Sequence, residues 1–267
     1  MPALHMIVMV DAGFKPAANR LCNPAGMQCR RDQGAHHIMQ DQNRPNRLFV
    51  WDLPLRMFHW GLAIAVVAAV VSVENDRMDI HERAGLTVLG LIGFRIIWGF
   101  LGGHHARFAN FLSGPRRTLA WLRQRGDHGP RKAGHSPLSS WSVLALLGIT
   151  GYMATTGPWS SDGILYDAPL AHLVPHLSGT IGEWHHRGKI LLIPLVLLHL
   201  AAILIYKFYK QTPLTKAMIS GRASEPSSQV TGADGSITKQ RLVLGLLLMF
   251  ALQAATHYLP LLRPSWY

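Results

Sequence analysis

The sequence predicts an all-α membrane protein, a four-helix transmembrane bundle followed by a fifth C-terminal transmembrane helix. Three observations carry that expectation. Only 15% of the 267 residues are Asp, Glu, Lys or Arg, whereas a soluble domain carries about 25%. Apolar runs near the ~20 residues needed to cross a bilayer recur along the chain. The basic residues collect in alternate loops, as topology demands of a multi-pass protein.

The five runs follow in order. The first extends from about Leu53 to Val73, uninterrupted from Phe58 onward. The second covers about Ala84–Leu101, the third Leu138–Thr156, the fourth Ile190–Tyr209 and the fifth Leu242–Leu262. They are too long for strands and lack strict alternation, so no β-pattern competes.

Loop charge orients them. Arg44, Arg47 and Arg56 precede or open span one, and the next loop leans acidic through Glu74, Asp76, Asp79 and Glu82 against Arg77 and Arg83. The second loop is basic, from Arg107 to Lys132, with Asp127 its one acid. The third carries Asp162, Asp167 and Glu183 and no Lys or Arg before Arg187. The fourth returns Lys207, Lys210, Lys216, Arg222, Lys239 and Arg241 against Glu225 and Asp234. The N-terminus and the second and fourth loops are therefore expected in the cytoplasm and the C-terminus in the periplasm of a bacterial inner membrane. The net charge of +12 is thus a topology signal, and no nucleic-acid partner is expected. The lipid bilayer is the partner this pattern names.

The organisation follows. Residues 1–47 mix Gly, Pro, Asn, Gln and Arg without periodicity and read as a disordered cytoplasmic extension. Its apolar stretch Ile7–Val10 is too short for a secretory signal. Residues 48–212 form the four-span unit. Residues 213–240 read as a flexible cytoplasmic linker, with Ser224–Ser236 rich in Ser and Gly. Residues 241–267 hold the additional span, read as an appendage.

Cys22 and Cys29 form neither CxxC nor CxxCH, which argues against zinc binding and covalent haem attachment. The fifteen histidines carry more. A lone membrane histidine is commonly a hydrogen-bonded packing residue, but ionisable groups within spans are costly and tend to be functional. His185 and His199 are 14 residues apart, so at ~100° per residue they differ by only about 40° around the helix. His186 is turned roughly 140° from His199. The rise from His185 to His199 is about 21 Å, which places one toward each membrane face. His81 opens span two on the outer side, and His59 lies about 21 Å below the outer end of span one. Depth and side then pair His81 with His185 and His59 with His199. Facing side chains in helical bundles build cofactor sites, and two axial imidazoles give an iron with no open position, suited to electron transfer. The expected core is a bundle binding two b haems through these four histidines.

Gly85, one turn after His81, and Gly188, near His185, leave room for close porphyrin approach, or serve ordinary helix packing. Arg95 either pairs with a haem propionate or snorkels to the interface. His104, His105, His128, His135, His172 and His176 read as solvated loop residues, and His257 is unassigned.

With those residues in place, the chain resembles the prokaryotic cytochrome b561 and Ni/Fe-hydrogenase b-type cytochrome families. The resemblance rests on Val50-Trp-Asp-Leu-Pro-Leu-Arg-Met-Phe-His-Trp60, Ile80-His-Glu-Arg-Ala-Gly85, Phe94-Arg-Ile-Ile-Trp-Gly99, His105-Ala-Arg-Phe108, Gly134-His-Ser-Pro-Leu138 and the His185…His199 pair. It covers roughly Leu48 to Lys210. It implies one haem ligand each from spans one and two and two from span four. It also implies electron transfer between the quinone pool and a redox partner such as a hydrogenase, a c-type cytochrome or another oxidoreductase. The chain departs from the pattern where His186 replaces a usual Glu, and Pro194 is expected to kink span four. Span five and the N-terminal extension lie outside it.

The competing reading is a haem-free multi-pass transporter or metal-handling protein using the same histidines. It requires a polar path through several spans, and spans one, three and four are almost wholly apolar apart from histidine.

Overall fold

The computed structural model describes residues 47–112, 114–123, 137–208, 214–224 and 236–264. The expected disorder of the N-terminal extension, both cysteines, His128 and His135 lie outside these residues, as does most of Ser224–Ser236.

A short strand, β1 (Arg47–Phe49), leads into α1 (Leu53–Glu74). The helix starts where the sequence tells it to. Asp52 is the N-cap, its carboxylate accepting from the Leu55 N–H at 2.9 Å, and Pro54 occupies the first turn, where no N–H is needed. At the far end the Asn75 N–H bonds back to Ser72 and Val73, and Asp76 reverses the chain with φ 56°. α2 (Met78–Leu101) returns antiparallel to α1. Two short helices, α3 (Phe108–Phe111) and α4 (Pro115–Arg123), precede α5 (Pro137–Thr156). After a loop of 3-10 turns comes α6 (Pro175–Phe208), then α7 (Leu214–Ser220), strand β2 (Arg222–Ser224) and α8 (Lys239–His257), which ends in the turn Leu259–Leu262.

Among the described residues, four helical stretches are long and apolar enough to cross a membrane by length and composition: Leu53–Glu74, Met78–Leu101, Pro175–Phe208 and Lys239–Leu262. They correspond to expected spans one, two, four and five. α5 lies where the third was expected but is not among them; Ser139, Ser140 and Ser142 dilute its first turns. Their outward faces carry bare Ile64, Val67, Ile190, Leu198 and Phe208, a surface suited to hydrocarbon because the backbone bonds are satisfied inside each helix.

α2 is the central element, with 56% of its apolar window buried against 11–17% for the other three. One core cluster joins Leu55 and Phe58 of α1, Leu91, Phe94 and Trp98 of α2, Ala106 and Met249 of α8. A second joins Ala65, Val88, Ile92 and Ala154. α8 is therefore built into the bundle and is no appendage. Small residues let it approach: a Cβ on Gly90 would lie 2.7 Å from Gln253 Nε2, and one on Gly245 would lie 2.8 Å from the Trp98 ring. Gln253 also donates to the Thr87 carbonyl at 3.1 Å.

Within the segment expected as a linker, residues 214–224 form α7 and β2. β2 pairs antiparallel with β1 in the register Arg47↔Ser224, Leu48↔Ala223, Phe49↔Arg222. Gly221, at φ 77°, makes the turn into β2, and its carbonyl accepts from the N–H groups of Val50 and Trp51 at 2.9 and 3.2 Å. Glycine takes this left-handed conformation without steric cost. Pro194 lies inside α6, which stays helical on both sides of it.

Candidate functional site

His81 sits in the first turn of α2, and its Nδ1 lies 2.8 Å from the Ala69 carbonyl of α1. A carbonyl can only accept, so His81 donates from Nδ1 and leaves Nε2 as its free ligating atom. His185, on α6, has its Nδ1 3.1 Å from Thr156 Oγ1 at the end of α5. The Thr156 hydroxyl donates to the Tyr152 carbonyl at 2.8 Å, so it accepts from Nδ1–H, and Nε2 of His185 carries the lone pair. The two rings face each other with centroids 6.1 Å apart and planes 85° apart. Imidazoles bonded to opposite sides of one metal at about 2 Å each have ring centres roughly 6 Å apart. The spacing fits a shared metal. Gly157 borders the His185 ring, where a Cβ would come within 3.3 Å of Cε1.

Toward the other end of the bundle, His59 of α1 and His199 of α6 are both half-buried and close enough for their charges to interact. His59 Nδ1 is buried and has no hydrogen-bond partner among the described residues. A buried donor or acceptor left out of the hydrogen-bonded framework needs another explanation, and ligation of this imidazole to a group between the helices is one.

The remaining expectations divide. Gly85 has open space beside it, with nothing within 4 Å of a notional Cβ. Gly188 is buried against Met153 and Tyr152 and is a helix-packing glycine. His186 is exposed. His105, expected to be solvated, is only 9% exposed, because the chain after α2 folds back with Arg107 Nε donating to the Gly102 carbonyl at 3.0 Å. His257 Nε2 lies 3.1 Å from Thr87 Oγ1 on α2.

Arg95 is buried at 4% exposure, its guanidinium 4.5 Å from the Phe108 ring centre and within electrostatic reach of Asp52. Trp98 Nε1 donates to the same Asp52 carboxylate at 3.2 Å. Phe108 fills the notch left by Gly99. Burial pushes the Asp52 carboxyl above the usual carboxylate range; the Leu55 N–H, the Trp98 indole, the Gly103 N–H and the Arg95 charge oppose that shift. Three of the quoted sequence segments thus meet in one knot beside the start of α1. Sequence reading found Asp52 as part of a motif and missed its tie to Trp98, which no local pattern announces.

A second cluster also escaped the sequence. Glu82, next to His81, accepts from the Tyr166 hydroxyl at 2.6 Å and from Arg263 Nη2 at 2.5 Å. Arg263 also donates to the Asp167 carbonyl at 2.9 Å. Burial and the adjacent carboxylate push the Tyr166 phenol up, so it remains a donor at neutral pH.

Long lipid-facing helices, with imidazoles of different helices meeting edge to face 6.1 Å apart, are compatible with a membrane cytochrome of the b type. The chain belongs to the prokaryotic cytochrome b561 family, whose model matches residues 50–221. It is similar to the probable Ni/Fe-hydrogenase B-type cytochrome subunit of Azotobacter vinelandii, 24% identical over 65% of this chain and 87% of that protein. Proteins of the same name from Cupriavidus necator (23% identical, 65% and 85% covered) and Rhodobacter capsulatus (22%, 68% and 84%) are similarly related. No solved structure matches the chain.

Proposed function

We propose that this protein is a di-haem b-type cytochrome that carries electrons between the quinone pool and a redox partner, with a hydrogenase the first candidate partner. The facing rings of His81 and His185 carry this reading, and the names of the relatives support the hydrogenase. A c-type cytochrome or another oxidoreductase is the alternative partner.

In this reading His81 and His185 hold one haem, and His59 and His199 the other. Bound there, each haem would supply a one-electron iron couple. The chain does the rest. The Ala69 carbonyl and Thr156 hydroxyl fix the two imidazole tautomers, and such second partners raise ligand basicity. The 14-residue spacing on α6 sets the two sites about 21 Å apart along the helix.

The same reading has five crossings. β1 precedes α1 and β2 follows α6, yet they pair, which requires an even number of crossings between them. α1, α2 and α6 supply three, so α5 supplies the fourth. α8 then runs back along α2, from Gly245 beside Trp98 to Arg263 beside Glu82, and leaves the C-terminus on the opposite face from the N-terminus. Loop charge puts the N-terminus in the cytoplasm.

Purified protein from haem-replete cells is expected to give reduced-minus-oxidised b-type bands and two haems per chain. His199→Ala should retain one haem and His186→Ala both. Colourless wild-type protein would sink the reading.

A further inference from the structure

The Glu82 cluster draws on three elements: α2, the loop between α5 and α6, and the turn after α8. Its carboxylate is only 12% exposed and takes two donors on one oxygen, while Arg263 is 33% exposed and also reaches the Asp167 carbonyl. The guanidinium carbon stands 5.9 Å from the Tyr166 ring centre. Glu82 follows His81 directly, and Arg263 lies beyond the family match, which ends at residue 221. The final span therefore delivers a cation to the one carboxylate adjoining a proposed iron ligand.

We propose that Arg263 is a positioning residue that sets the reduction potential of the haem held by His81 and His185, acting through Glu82. The proposal rests on the di-haem reading above. Arg263 neutralises a poorly solvated carboxylate and ties it to the loop that carries Tyr166. Without the guanidinium, an uncompensated negative charge beside His81 favours ferric over ferrous iron, because net charge and hydrogen bonding near the centre set its potential. A charge that far from the His59–His199 end acts weakly there.

The test is an optical redox titration of the full-length purified protein, following both haems. Arg263→Met should lower one midpoint and leave the other in place, and the centre that moves should be the one retained by His199→Ala. Arg263→Lys should recover most of the shift. The double variant E82Q/R263M, with both charges gone, should return toward wild type. Unchanged midpoints in Arg263→Met, equal movement of both, or no recovery in the double variant would overturn the proposal. So would loss of haem from Arg263→Met with wild-type midpoints in Arg263→Gln, which keeps a donor but no charge and so assigns the residue to the scaffold alone. Wild-type protein without haem fails the di-haem reading itself and is told apart at the first spectrum.

Discussion

Thr156 shows how much of a proposed ligand's behaviour is decided one atom away from it. Its hydroxyl oxygen lies 3.1 Å from His185 Nδ1 and also bonds the Tyr152 carbonyl at 2.8 Å, so the ring is steered by the last turn of α5. Thr156→Val keeps the shape and removes the hydroxyl. Losing such a partner weakens metal affinity ~10–100-fold, so haem should leave the His81–His185 end that much more readily. The measurement is the haem-to-protein ratio during competition with a haem-free acceptor protein; retention equal to wild type would remove Thr156 from the site. At this scale the sequence was informative where helical geometry applied. His185 and His199 could be picked over His186 because helix period and rise are fixed, and the exposed His186 fits that choice. Burial of His105, the Asp52–Trp98 tie and the Glu82–Tyr166–Arg263 cluster were not legible, because loops have no period and these partners are distant in sequence.

Elements were legible in position and less so in extent. Hydropathy placed the fourth span from about Ile190, whereas α6 begins at Pro175 and runs 34 residues. At 1.5 Å per residue that is about 51 Å, well beyond a hydrocarbon core of about 30 Å. The missed turns carry Glu183, His185, His186, Arg187 and Lys189, which dilute the apolar signal without interrupting the helix. α8 was misjudged for another reason: a run of Ser and Gly upstream suggested independence, while the residues that seat it, Gly90 and Gly245, lie in different spans. Its fit is testable. A Cβ on Gly90 already comes to 2.7 Å from Gln253 Nε2 and 3.0 Å from Thr256 Oγ1, so Gly90→Leu must displace Gln253 from its bond to Thr87 and crowd the α2–α8 contact. Overpacking typically destabilises by about 1–3 kcal/mol, and Gly90→Leu should show it as a lowered unfolding midpoint in detergent. Pairing it with Gln253→Ala, which clears the space, should recover part of the loss; an additive pair would mean the two side chains do not meet.

At the scale of the whole molecule, loop charge put the start of span one and the fourth loop on the same face, and the β1–β2 pairing joins those two segments. A periplasmic-active reporter fused after Tyr267 should be active, and the same reporter fused after residue 224 silent; equal activity at both sites would remove the last crossing. The pairing has a further consequence for biosynthesis. Ribosomes deliver the chain N-terminal end first, so Val50 and Trp51 leave the ribosome long before Gly221, the acceptor for both of their amides. His59 likewise waits for His199. The clasp is therefore made from segments synthesised far apart in time, and under the di-haem proposal the His59–His199 pair can take haem only after α6 has been made.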